Sequence, residues 1–96
     1  MTQPIALPTI TAEGTDATTL QGEYCAVRVW TKAAADALSD ATCAPRDFPG
    51  DPEAFQQAQA DRREMFRLLE VVQDYAAQIE ARAAEHITAK TPQAET

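Results

Sequence analysis

Histidine, cysteine and glycine are scarce in this 96-residue chain, with one, two and three copies. The single histidine, His86, has no second imidazole and no Cys-x-x-Cys to join, so nothing approaches zinc-ligand spacing. Two cysteines, Cys25 and Cys43, are too few for a disulfide framework. Placed on one helix they stand about 27 Å apart, against the roughly 7 Å a disulfide spans. They read as free thiols of a reducing compartment. A redox sensor needs a thiol made acidic by its neighbours, and neither cysteine has such a setting.

Catalytic signatures are absent too. There is no Gly-rich phosphate loop. No nucleophile has a base at a suggestive spacing, and no acid falls at an expected core position where desolvation tunes it. The expectation is a non-enzyme with no metal and no cofactor. No segment reaches the roughly 18 apolar residues of a membrane span. The start of the chain lacks the basic end and apolar stretch of a signal peptide. The expected compartment is the cytoplasm, or a virus particle assembled there.

Basic residues are outnumbered, 8 Lys and Arg against 15 Asp and Glu, for a net charge of −7. Direct nucleic-acid binding through a basic face is not expected. The acids are spread along the chain rather than gathered in a stripe, which reads as solubility. The densest cluster, Asp61-Arg62-Arg63-Glu64 with Arg67 and Glu70, is mixed in sign and reads as a solvated helix face.

What the chain does have is helical periodicity, and it predicts an all-α protein in three parts. Residues 1–17 hold Pro4, Pro8, Gly14 and the β-branched run Thr9-Ile10-Thr11, which predicts an extended or flexible N-terminal arm. Residues 18–90 form a helical hairpin domain, and 91–96 a polar C-terminal tail.

The first helix is expected from Thr18 to about Cys43, opened by a capping box of Thr18 and Gln21. Its apolar stripe is Leu20, Tyr24, Val27, Thr31, Ala34, Leu38 and Ala41, with Arg28, Lys32 and Asp36 on the far side. Residues 23–31 also suit a strand paired with 4–11. The helical phase runs on unbroken into Lys32–Ala41, so helix is the favoured reading. Pro45 stops it. Pro49-Gly50 suits a type II turn, and Asp51-Pro52-Glu53 is a strong helix start. From Pro52 to about residue 88 no glycine interrupts a heptad seam: Phe55, Ala58, Arg62, Met65, Leu69, Val72, Ala76, Ile79, Ala83 and His86.

A short connection makes these helices antiparallel neighbours. The fold expected is an antiparallel helical hairpin with a short first helix, a long coiled-coil-like second helix and an extended N-terminal arm. A lone hairpin leaves one side of its core open, so pairing of two copies into a four-helix bundle is expected.

The WXG100 secretion substrates are helical hairpins of this length, but their Trp-x-Gly stands in the turn. Here Trp30-Thr31-Lys32 lies inside the first helix, so no family resemblance carries over. The function expected is a non-catalytic protein–protein interaction module, a small subunit or adaptor that self-associates. A phage-type acidic inhibitor that blocks a basic nucleic-acid-binding surface is the alternative. The candidate interface residues are Trp30, Arg62, Phe66, Leu68, Val71 and Tyr75, with Ile5, Leu7 and Ile10 of the arm.

Overall fold

A computed structural model describes residues 5–90, with the side chain of residue 90 left aside; the tail 91–96 and Pro4 of the arm lie outside the described residues. The described residues are all-helical, with no strand. Helix α1 spans Ala17–Asp40, a single 3-10 turn spans Pro45–Asp47, and helix α2 spans Pro52–Lys90. The molecule is a rod of 67 × 24 × 22 Å. Residues 23–31 are helical, so the β-branched and aromatic content there yields to the longer 3.6-residue period.

Helix α1 starts one residue earlier than its expected capping box. Asp16 is the N-cap: its carboxylate accepts from the Thr19 backbone N–H at 2.8 Å and from the Thr19 hydroxyl at 3.0 Å. An acid at the positive end of the helix dipole outcompetes the Thr18 hydroxyl. These bonds hold the Asp16 carboxyl below its ordinary value, the backbone bond first.

The helix stops at Asp40, three residues short of expectation, because Ala41 turns extended with its N–H still bound to the carbonyls of Ala37 and Leu38. No basic residue stands in its last turn. Arg62 of α2 supplies one instead: its Nη2 donates to the Ser39 carbonyl at 3.0 Å. Cys43 therefore lies beyond α1, and both cysteines are free and half-buried.

The reversal follows its expected chemistry. Asp51 N–H bonds to the Phe48 carbonyl at 3.1 Å around Pro49-Gly50, with Gly50 at φ 73°, the left-handed position a type II turn requires. Asp51 then caps α2 through the Ala54 N–H at 3.0 Å, and Pro52 takes the first helical position. Phe48 packs on Phe55 with ring centroids 6.1 Å apart, closing the end of the hairpin.

The packing faces follow the expected ones in most positions and depart from them at a few. Along α1 the half-buried or buried positions are Ala17, Leu20, Gln21, Tyr24, Cys25, Thr31, Ala35 and Leu38, so Leu20, Tyr24, Thr31 and Leu38 of the expected stripe pack inward while Val27, Ala34 and Ala41 are exposed. Arg28, expected on the solvent side, pairs with Glu80 of α2. Along α2 the inward positions in the middle are Phe66, Leu69, Gln73 and Ala76; Met65 and Val72 of the expected seam are exposed. The physical reason is that two helices cover only a narrow seam, so apolar positions beside it stay exposed.

Residues 5–16 contain no helix or strand, and part of them lies against α2. Arg82 Nε donates to the Pro8 carbonyl at 3.2 Å. Ile5 borders a cleft with Val71, Val72 and Tyr75, and Thr9 and Ile10 reach His86. This segment runs in the same direction as α2, along its C-terminal half.

Candidate interaction surface

One stripe of α2 has two fates. Heptad steps from Met65 pass through Val72 to Ile79, Ala83 and His86. Over its C-terminal half the stripe is covered: Ala76, Ile79 and Ala83 are buried, and His86 is half-buried against Ile10 and Ala17. Over its middle it is bare. Met65, Leu68, Val72 and Tyr75 are 41–45% exposed. The change falls beside Ile5, the first of the described residues.

Helix α1 continues the bare surface. Tyr24 meets Tyr75 edge-on, ring centroids 6.0 Å apart at 66°. The Tyr75 hydroxyl, hydrogen-bonded to it, raises the Tyr24 phenol above its ordinary value. On the wheel, Val27 and Ala34 follow Tyr24 on this side of the hairpin. Trp30 stands further out and is 72% exposed. The opposite side is polar: Lys32 faces Arg63, Arg67, Glu70 and Gln73 across a shallow cleft floored by Ala35, Phe66 and Leu69. There Arg67 holds Glu64 through Nε and Nη2 at 2.9 and 2.6 Å, which keeps the Glu64 carboxyl below its ordinary value. Gln57 binds Asp61 at 2.7 Å.

The structure therefore divides the sequence candidates. Trp30, Leu68 and Tyr75 lie on the bare face. Val71 and Ile5 border the cleft at its edge, half-buried, and Ile10 is half-buried near His86. Leu7 is exposed on the arm. Arg62 and Phe66 are engaged within the hairpin: the Arg62 guanidinium lies over the Phe66 ring, 5.5 Å from its centroid, while bonding to Ser39. Val27, Met65 and Val72 complete the face and are missing from the sequence candidates. Their signal was the heptad itself, which assigned them to the seam inside the hairpin.

Among the described residues no group of three or more His, Cys, Asp or Glu side chains is placed to hold a metal ion. Among them, too, no helix is long and apolar enough to cross a membrane. No protein family matches the chain, and no curated protein or solved structure matches it.

Proposed function

We propose that this chain is a non-catalytic interaction module, a small subunit or adaptor that works by presenting the bare face of its hairpin to another polypeptide. The observation that carries the reading is the divided stripe of α2, buried from Ala76 to Ala83 and open from Met65 to Tyr75. A single heptad pattern is built to be covered along its whole length. Where the described residues supply no cover, an aromatic and aliphatic surface meets water, and contiguous surface of that kind marks protein contact sites. Closure as a four-helix bundle is the form such a hairpin takes most simply.

The mixed charge of the Arg63–Glu70 side fits the part of the module that stays in water. Residues Trp30 and Tyr75 serve as anchors, since large amphipathic rings dominate binding energy.

A photo-reactive phenylalanine tests this in the native cell, placed at Val72 on the bare face or at Asp36 on the charged side. Covalent adducts with a polypeptide from Val72 and none from Asp36 are expected. No adduct from Val72 overturns the reading.

A further inference from the structure

Trp30 and the cleft beside Ile5 form a knob and a hole on the two outer edges of one face. The indole is 72% exposed on the edge of α1. The hole, about 200 Å³, is bounded by Ile5, Val71, Val72 and Tyr75 on the edge of α2, with Asp74 and Gln78 at its polar end. Both sit at one level along the hairpin. Arg28 reaches Glu80, Tyr24 meets Tyr75, and Lys32 shares a cleft with residues 63–73, so Trp30 stands beside the stretch of α2 that bounds the hole.

We infer that the occupant of the bare face is a second copy of this chain, related by a two-fold axis parallel to the helices, with Trp30 of each copy entering the cleft beside Ile5 of the other. This rests on the reading of the face as an interaction surface and names its partner. A two-fold along the helices sets α1 of one copy against α2 of the other with no axial shift. A knob and a hole at one level then meet twice, as an isologous contact requires. A two-fold across the helices sets α1 on α1 and leaves the hole unfilled.

Area and charge favour the same occupant. The exposed parts of Val27, Trp30, Met65, Leu68, Val72 and Tyr75 amount to about 600 Å² per copy at ordinary side-chain areas, approaching the roughly 800 Å² per partner of a standard interface. Around Trp30 the outer face of α1 carries Ala26, Ala33, Ala34 and Ala37, with Glu23 one heptad before it. Two copies of charge −7 thus meet through a mainly apolar surface, with Glu23 and Asp74 at its margins.

The full-length protein in light scattering is expected to show a dimer. Its only tryptophan should shift its emission to shorter wavelength as the dimer forms. Trp30→Ala and Val72→Arg, each checked for helicity by circular dichroism, are each expected to weaken the dimer at least about 30-fold. An equimolar mixture of the two variants should recover dimers, because the mixed pair keeps one intact knob and hole. A wild-type monomer at every concentration overturns the second copy, while Val72 adducts in cells still uphold the interaction face. A dimer indifferent to Trp30→Ala overturns the knob. Two monomeric variants that stay monomeric on mixing overturn the two-fold arrangement.

Discussion

Arg28 of α1 clasps Glu80 of α2 through two bonds, from Nε to Oε1 at 2.7 Å and from Nη2 to Oε2 at 3.2 Å, joining residues 52 positions apart. Among the described residues the other ion pairs, Lys32–Asp36 and Glu64–Arg67, lie within single helices. The bidentate clasp fixes how the two helices slide past each other. The Arg28 bond, first among its causes, lowers the Glu80 carboxyl below its ordinary value.

A folded-state pKa below the unfolded one means the unfolded chain binds protons more readily as pH falls. Glu80, Glu64 and Asp16 all share this direction. Their contribution is complete above the unfolded carboxylate range, near pH 4, and fades as pH drops through their lower folded values. Chemical denaturation from pH 7 to pH 2 should therefore show stability falling on the acid side. A double-mutant cycle of Arg28→Ala and Glu80→Ala should give a favourable coupling at pH 7 and none at pH 2. Equal coupling at both would remove the ionic account.

Ile79 and Val72 occupy the same stripe one heptad apart, yet Ile79 is 4% exposed. Ile79→Ala is expected to cost about 2–4 kcal/mol in urea denaturation, since it opens a cavity at a buried position. Val72→Ala at a concentration that keeps the chain monomeric should cost well under about 1 kcal/mol. Comparable losses at the two positions would contradict the divided stripe.

Two glycines should respond with opposite signs. Gly22 lies inside α1 and a methyl group there meets nothing within 4 Å, so Gly22→Ala should stabilise by about 0.5–1 kcal/mol. Gly50 sits at φ +73°, where an L side chain is strained although space is open, so Gly50→Ala should destabilise by about 1–2 kcal/mol. Thermal melts of both variants decide the pair.

Arg62 ties the C-terminal end of α1 to the middle of α2. Arg62→Met keeps the apolar stem and loses the bond to the Ser39 carbonyl. The loss should be about 0.5–1 kcal/mol, and amide hydrogen exchange should quicken most in residues 37–41. Uniform quickening along α1 would count against a capping role.

Much of this fold is legible in the sequence where the signal is local. Asp51-Pro52 and Pro49-Gly50 declare themselves because a cap and a left-handed turn each need particular residues within a few positions. The helices were legible from their period. Their faces were less so. Val27 and Ala34 are as apolar as Ala17, Ala35 and Leu38, so hydropathy does not separate the stripe that packs inward from the one beside it. The charged pair at the seam edge, Arg28 and Glu80, was illegible because its two members lie on different helices. The bare face was half visible: Trp30, Leu68 and Tyr75 stood out, whereas Val27, Met65 and Val72 were hidden by fitting the heptad too well. The contact between residues 5–10 and α2 has no period at all, and only an assembled helix gives those side chains somewhere to rest.

That contact also sets an order of events. Pro8 meets Arg82 across 74 positions, while the hairpin closes through an eleven-residue connection between Asp40 and Pro52. Nearby pairings form faster than distant ones. During synthesis Ile5 and Ile10 are made before α2 and have no resting place until its later turns have followed. These apolar side chains thus wait for shelter, which makes the newborn protein more adhesive than the finished one.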